Sequence, residues 1–155
     1  MEKLIDGVLI KEIKTNSDDR GYFREIIRSS DEIFEEGFGQ CSHSVVFQGI
    51  TKAWHLHKYQ YQWTYVASGT LKVVLYDTRS ESPTYNLKNE LLAGETYKPI
   101  VYLIPPGVAH GYRCLSGPAH VFYLTSGEYD LSDEIRIPYN DLSINFDWSR
   151  DIEIK

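Results

Sequence analysis

The stretch from Gly49 to Gly69 reads GITKAWHLHKYQYQWTYVASG, and the fold and chemistry of this chain depend on it more than on any other stretch. His55 and His57 stand two residues apart in a run rich in aromatic and β-branched side chains. Side chains alternate between the faces of a strand, so the two imidazoles are predicted to emerge on the same face. Such a pair indicates either the edge of a metal site or part of a catalytic pocket. The simpler interpretation is a pair of solvent-facing histidines.

Size and composition limit the possible functions. The 155 residues fit one domain spanning 1–155, and 12 Tyr, 6 Phe and 3 Trp favour a β-rich fold. The net charge of −6 argues against general binding to nucleic acid or to anionic membranes, so an anionic substrate must meet a local cluster of Lys and Arg.

Cysteine usage and the chain start bear on the compartment. The 2 cysteines stand far apart and in no CxxC pattern, which predicts reduced thiols. The opening residues MEKLIDG contain no apolar signal region, and no apolar run approaches the ~18 residues of a membrane helix. We therefore expect a cytoplasmic protein.

Short β-type runs separated by turn signals recur along the chain and predict a sandwich or barrel. A polar loop is predicted at 16–21, and turns are predicted at Ser68-Gly69 and Ser116-Gly117. A capping pattern and Gly37 predict a short helix from Asp31 to Glu36, and a final short strand or helix is expected near 142–148. The predicted strands are 8–13, 22–27, 40–47, 51–57, 62–67, 71–76, 84–91, 97–104, 111–114 and 120–125.

A second histidine segment, LIPPGVAHGY at 103–112, lies about fifty residues after the first. The two segments resemble the two motifs of the cupin barrels. Gly49, His55, His57 and Gly69 match the first motif, with Gln62 where its glutamate would stand. Pro105, Gly107 and His110 match the second motif. This resemblance implies an all-β fold, a cupin-type antiparallel barrel or jelly roll with one or two short helices.

A closer resemblance covers nearly the whole chain. It rests on these motifs: DRGYFRE at 19–25, QCSHS at 40–44, KAWH at 52–55, IPPGVAHG at 104–111, Phe122-Tyr123, and closing segments at 134–141 and 144–148. In these motifs the chain is similar to the dTDP-4-dehydrorhamnose 3,5-epimerases, and their shared order and near-matching intervals argue against chance.

The resemblance implies a homodimeric enzyme that acts on a nucleotide-linked 4-keto sugar without a redox cofactor. His55 matches the family's base, Tyr123 its acid, and His110 a residue that donates a hydrogen bond to the developing oxyanion. A histidine suits a base because it titrates near neutral pH. Further matches imply substrate binding by Arg20, Phe23, Glu25, Gln40, Ser42, Lys52 and Gln62.

Four departures distinguish this chain from the family. Gln62 stands where the family has a lysine that helps to stabilise the enolate, and His57 stands where glutamine is usual. Lys52 replaces an arginine and therefore presents a point charge instead of a two-pronged guanidinium. The family's base is partnered by an aspartate in a C-terminal S-x-K-D motif that is missing here; Asp151 is the nearest candidate to replace it.

Three functional hypotheses follow. The leading one is an epimerase or isomerase of a nucleotide-diphosphate 4-keto-6-deoxyhexose, serving synthesis of a deoxysugar for a polysaccharide or glycoside. The second is a metal-dependent cupin isomerase or oxygenase, in which His55, His57, Gln62 and His110 hold one divalent metal. The third is a catalytically silent protein that binds sugar nucleotides.

Overall fold

Antiparallel strands make up this computed structural model, which describes residues 2–149. Within that range there is no helix, so the all-β prediction is confirmed, but the short helices expected with it are absent. The strands are β1 (Leu9–Glu12), β2 (Thr15–Asp18), β3 (Gly21–Arg24), β4 (Gln40–Val46), β5 (Thr51–His57), β6 (Gln62–Asp77), β7 (Lys88–Gly94), β8 (Ile100–Ile104), β9 (Val108–Thr125) and β10 (Glu134–Arg136).

Two long strands, β6 and β9, run through both halves of the molecule. The first half of β6 pairs with β8 and with the end of β9, which also pairs with β4. The second half of β6 pairs with β7 and with the start of β9, which also pairs with β5. Strand β1 extends the first half on β8, and β10 extends the second on β5. The result is a jelly-roll arrangement of two facing halves.

The halves enclose an apolar core. Val66, Leu71, Leu75, Tyr102 and Val121 are among its buried members. There are two further apolar clusters. The cluster around Trp54 includes buried residues of β5, β6 and β9, and the cluster around Trp63 includes buried residues of β6 and β8. Burial of such side chains is the main favourable term in folding.

The predicted turns at Ser68-Gly69 and Ser116-Gly117 do not end their strands. Each lies inside a long strand, and the pairing of β6 with β9 shifts register between Val66 and Leu71. Gly69 adopts a φ of 76°, which a residue without a Cβ accepts readily. The chain therefore bends by bulging, and pairing continues on both sides.

The N-terminal predictions need two corrections. Part of the loop predicted at 16–21 is strand, because β2 and β3 form a two-stranded hairpin separate from the main sheet. The helix predicted from Asp31 to Glu36 is wrong, since only isolated turns occur there. The Asp31 carboxylate accepts hydrogen bonds from the Lys11 ammonium and the Arg28 backbone N–H. A segment this short forms too few helical bonds to offset the cost of helix nucleation.

A buried carboxylate, Asp77, organises the loop after β6. It accepts hydrogen bonds from Arg79 Nε at 2.8 Å, Ser82 Oγ at 2.6 Å and Thr84 Oγ1 at 2.7 Å. Burial disfavours the charged carboxylate, but these hydrogen bonds outweigh burial and hold the pKa of Asp77 well below its ordinary 3.8.

No helix in the described range is long and apolar enough to cross a membrane.

Candidate active site

A cavity of about 350 Å³ opens between the two halves of the fold, and core residues such as Tyr102 and Val121 form part of its lining. Strands β4, β5, β6, β8, β9 and β10 contribute its walls, together with the segment before β10. Its polar lining includes Gln40, Lys52, His55, His57, Gln62, Thr64, His110, Tyr112, Tyr123, Asp133, Glu134 and Arg136. The strand prediction for 51–57 is therefore confirmed, and its two histidines face the same cavity.

His55 is held by a carboxylate. Its Nδ1 lies 3.1 Å from Glu134 Oε1, and the Glu134 side chain is only 17% exposed. Strand β10 pairs with β5 so that Arg136 is opposite His55, and Glu134 reaches the imidazole diagonally across the ladder. A carboxylate on Nδ1 keeps the hydrogen on that nitrogen, so Nε2 carries the lone pair.

His57 is fully engaged by hydrogen bonds. Its Nδ1 lies 2.8 Å from Asp133 Oδ2, and its Nε2 lies 3.1 Å from Gln62 Oε1. Gln62 in turn donates from Nε2 to Thr64 Oγ1 at 3.1 Å. Asp133 is almost fully buried and also accepts the Tyr59 backbone N–H. These contacts form a chain from Asp133 to Thr64 along one wall of the cavity.

His110 is neutral. Burial, and next the neighbouring His57, lower the pKa of His110 to about 3. Its Nδ1 lies 3.3 Å from the Val108 carbonyl oxygen. A carbonyl oxygen only accepts, so the single ring hydrogen is on Nδ1. Its Nε2 is then an acceptor, so the neutral ring lacks the free N–H that the predicted role of oxyanion donor requires.

Two tyrosines face the cavity from β9. Tyr123, the predicted acid, is paired in register with Ser42 and with Thr64 on the neighbouring strands. Burial raises the pKa of the second, Tyr112. Lys52 lies beside Ser44, with 3.4 Å between Nζ and Oγ.

The predicted substrate-binding residues divide into two groups. Gln40, Lys52 and Gln62 line the cavity. Both ends of the Gln40 amide have hydrogen-bond partners. Its nitrogen donates to Ser42 Oγ at 3.0 Å, and its oxygen accepts a hydrogen bond from the Tyr129 backbone N–H at 2.8 Å. Ser42 is therefore next to the cavity but not in its lining.

The second group, Arg20, Phe23 and Glu25, does not line the cavity. Arg20 and Phe23 belong to the β2–β3 hairpin, where the Arg20 guanidinium pairs with Asp18 and the Phe23 ring is 62% exposed. Glu25, which follows β3, pairs with Arg28.

The side chains proposed for a metal do not fit a metal shell. Both ring nitrogens of His57 are occupied, and the rings of His55 and His57 stack on His110, with centroids 6.3 and 5.9 Å away. Among residues 2–149, no group of three or more His, Cys, Asp or Glu is placed to hold a metal ion. The metal-centred hypothesis is therefore not supported by the donor set.

Sequence reasoning missed both carboxylates that hold the histidines. Glu134 was noted only as part of a closing motif, and Asp133 and Arg136 were not singled out. Glu134 is 79 residues from His55, and Asp133 is 76 residues from His57. The one available signal is the acidic pair at 133–134, which overlaps the start of the closing motif at 134–141. Asp151, the candidate considered instead, lies outside the described residues.

Comparisons with known proteins identify the family of this chain. The family model for dTDP-4-dehydrorhamnose 3,5-epimerase matches residues 2–155. The spore coat polysaccharide biosynthesis protein SpsL of Bacillus subtilis is 42% identical over 149 residues, covering 94% of this chain and 97% of that protein.

Solved structures show the same likeness. A dTDP sugar isomerase from Desulfovibrio desulfuricans has a TM-score of 0.88 and 27% identity, covering 94% of this chain and 92% of the other. The dTDP-6-deoxy-D-glucose-3,5-epimerase of Legionella pneumophila, in complex with dTDP-4-keto-L-rhamnose, has a TM-score of 0.85 and 28% identity, covering 96% and 81%. The chain therefore belongs to the dTDP-4-dehydrorhamnose 3,5-epimerase family and is an isomerase.

Proposed function

We propose that this protein epimerises a nucleotide-diphosphate 4-keto-6-deoxyhexose at a carbon next to the ketone. The observation that carries the proposal is the His55–Glu134 pair, which faces the same cavity as Tyr123. A ketone acidifies the hydrogens on its neighbouring carbons, so inversion there needs a base, an acid and a means of stabilising the enolate.

His55 is the proposed base. With its hydrogen on Nδ1 directed at Glu134, Nε2 has a lone pair that can accept a proton from C3 or C5 of the sugar. The electron pair of the broken C–H bond moves into the enolate. Glu134 then stabilises the imidazolium that forms, without taking the proton itself.

Tyr123 is the proposed acid. It belongs to the half of β9 that pairs with β4, whereas His55 pairs with the other half of β9, beside His110. The two groups therefore belong to opposite walls, as delivery of a proton to the other face of the carbon requires. The phenol proton passes to carbon; afterwards the phenolate takes up a proton from solvent and the His55 imidazolium releases one to solvent. No redox or metal cofactor takes part in this proposal.

The diphosphate would bind beside Lys52 and Arg136, the lysine and the arginine side chains in the described cavity lining. They supply the local positive charge that an anionic substrate needs in a chain with net charge −6. The similar Legionella enzyme was solved with a dTDP sugar, which supports dTDP as the nucleotide.

We also propose a cytoplasmic homodimer that serves deoxysugar and polysaccharide synthesis. The resemblance to the spore coat polysaccharide protein supports the pathway class. Arg20, Phe23 and Glu25 are absent from the cavity of their own protomer, so their substrate-binding roles require the β2–β3 hairpin to reach the cavity of a second protomer.

Proton exchange in deuterated water tests the reaction. Chelator-treated protein is mixed with a dTDP-4-keto-6-deoxyhexose and followed by proton NMR. We expect the signal of the C3 or C5 hydrogen to disappear, and His55→Ala to slow this loss by at least about 10²-fold, as removal of a general base should.

Two outcomes would contradict the proposal. Exchange that appears only after a divalent metal is returned would favour the metal-dependent hypothesis. Tight binding of the sugar nucleotide without exchange under either condition would favour a silent binder. The matched control is His43→Gln, because His43 is on β4, outside the cavity, and contacts His120 and Phe122.

A further inference from the structure

One hydrogen-bonded chain in the cavity wall has no part in the proton transfers described above. It runs from Asp133 through His57 and Gln62 to Thr64. The Asp133 side chain is 3% exposed and that of His57 is 18% exposed, so the pair is held largely away from water. A buried carboxylate is costly unless a positive charge or several donors satisfy it.

The order of donors and acceptors sets the charge on His57. The Asp133 carboxylate only accepts, so His57 Nδ1 carries a hydrogen. Gln62 presents Oε1 to Nε2 and uses Nε2 to donate to Thr64. An amide oxygen only accepts, so His57 Nε2 carries a hydrogen as well. An imidazole with hydrogens on both nitrogens is a cation.

The cation acts on the Gln62 amide. Hydrogen bonds in a chain polarise one another, and they do so most strongly at low local dielectric. Gln62 is buried, and one of its two amide hydrogens goes to Thr64 Oγ1. The second amide hydrogen is on the same nitrogen. The imidazolium bound to the amide oxygen makes that nitrogen more positive.

The reaction needs such a donor at the developing oxyanion. His110 is neutral and has an acceptor at its free nitrogen, so it cannot supply the hydrogen bond. Gln62 lines the same cavity as His55 and Tyr123.

We propose that Gln62 is the catalytic oxyanion donor of this enzyme, and that Asp133 and His57 are positioning residues that hold a positive charge behind its amide. The inference rests on the proposed function. The proton from the sugar carbon goes to His55 Nε2, and the electron pair moves onto the ketone oxygen. Gln62 donates a hydrogen bond to that oxygen without giving up its proton, so His57 keeps both hydrogens throughout.

The charge on His57 can be measured without any substrate. Nitrogen NMR of the free, ¹⁵N-labelled protein at neutral pH distinguishes a doubly protonated ring from either neutral tautomer. The His57 signal is assigned by its loss in His57→Gln. We expect both ring nitrogens to be protonated; a neutral ring would overturn the inference whatever the enzyme does.

Relocating the charge tests the catalytic role. In the exchange assay, His57→Gln keeps a hydrogen-bonding side chain but removes the cation. We expect its kcat to fall by about 10²-fold with KM little changed, as for loss of one oxyanion-stabilising contact.

Gln62→Lys alone should also be impaired, because it places a second cation against His57. The double variant His57→Gln/Gln62→Lys presents one ammonium at the same wall, and we expect it to recover most of the kcat lost in His57→Gln.

The outcomes separate this inference from the proposed function. If the wild-type protein exchanges the sugar hydrogen and His57→Gln does so at the same rate, only the inference fails. If His57→Gln is impaired and the double variant recovers nothing, a structural role for His57 replaces the electrostatic one, and the inference also fails. If the wild-type protein catalyses no exchange, both proposals fall together.

Discussion

At the scale of single residues, chemistry in this cavity depends on which partner each imidazole has. His55 faces a carboxylate that is partly shared, because Glu134 Oε1 also lies 3.4 Å from Arg136 Nε. His57 faces a carboxylate that is almost completely buried, and His110 faces only a backbone carbonyl. Three similar rings thus have three different environments, and these match their proposed roles as base, fixed cation and neutral wall.

Glu134→Gln tests the base assignment. The amide oxygen can still accept a hydrogen bond from His55 Nδ1, but it carries no negative charge to stabilise the imidazolium. We expect kcat for proton exchange to fall by about 10²-fold, within the contribution typical of general base catalysis, with KM changed much less. Glu12→Gln is the matched control, since Glu12 forms an exposed pair with Lys98 far from the cavity. An unchanged kcat in Glu134→Gln would remove Glu134 from the mechanism.

Asp77→Asn tests a residue that stabilises the fold without touching the site. The substitution leaves the Arg79 guanidinium and two hydroxyl groups without their carboxylate, so we expect a loss of about 3 kcal/mol in the free energy of unfolding.

The pH dependence of that loss has a definite sign. Because the folded-state pKa of Asp77 is depressed, its contribution is present above the unfolded value of 3.8 and is lost as pH falls below it. Urea unfolding should therefore show a large difference between Asp77→Asn and wild type at neutral pH, and a smaller one below that value. Asp19→Asn, at an exposed turn, should match wild type at both. A difference independent of pH would refute the assigned cause.

The histidines could be predicted from the sequence but their partners could not. A two-residue spacing in a β-type run put His55 and His57 on one face, and both do line the cavity. Glu134 and Asp133 come from a three-residue strand and the turn before it. Their positions depend on the pairing of β10 with β5, which local periodicity does not encode.

At the scale of elements, the long strands β6 and β9 hold the two halves of the fold together. The turn signals at Ser68-Gly69 and Ser116-Gly117 predict strand ends. Both strands continue through them, however, because neighbouring strands keep supplying hydrogen bonds. Turn chemistry alone cannot distinguish a hairpin from a bulge, since both favour glycine at positive φ.

Gly69→Ala tests the bulge in β6. An added Cβ at 69 would lie 2.6 Å from the Ala119 Cα and 2.7 Å from the Ser116 oxygen, in a backbone conformation with φ of 76°. We expect a loss of more than about 3 kcal/mol in the free energy of unfolding, from overpacking added to left-handed strain. Gly49→Ala is the control, because its φ of 82° carries the same strain but its Cβ would meet no atom within 4 Å. Equal losses in both variants, measured by urea unfolding, would mean that crowding at β9 is unimportant.

At the scale of the whole molecule, the hairpin of β2 and β3 carries apolar surface that its own protomer does not cover. Tyr22 is 60% and Phe23 62% exposed there. Successive residues of a strand point to opposite faces, so the hairpin exposes one aromatic ring on each face, and the proposed homodimer would cover the face that carries Phe23.

Phe23→Glu tests the homodimer. A charge on the hairpin should oppose burial of that surface, so we expect wild-type protein to sediment as a dimer and Phe23→Glu to sediment largely as a monomer at the same concentration. Leu142→Glu is the control, because Leu142 is 89% exposed and far from the hairpin in sequence. A monomeric wild-type protein would contradict the proposal, and an unaffected dimer would exclude the hairpin from the interface.

The position of β9 near the end of the chain has a consequence for synthesis. Strands β4, β5 and β6 are all made before β9, and each needs β9 as a hydrogen-bonding neighbour. A chain growing on the ribosome therefore exposes unpaired strand edges until residue 125 has emerged, and such edges invite association with other chains. The arrival of β9 closes these edges and brings His110 and Tyr123 to the cavity, so the most vulnerable stage of synthesis ends as the site takes shape.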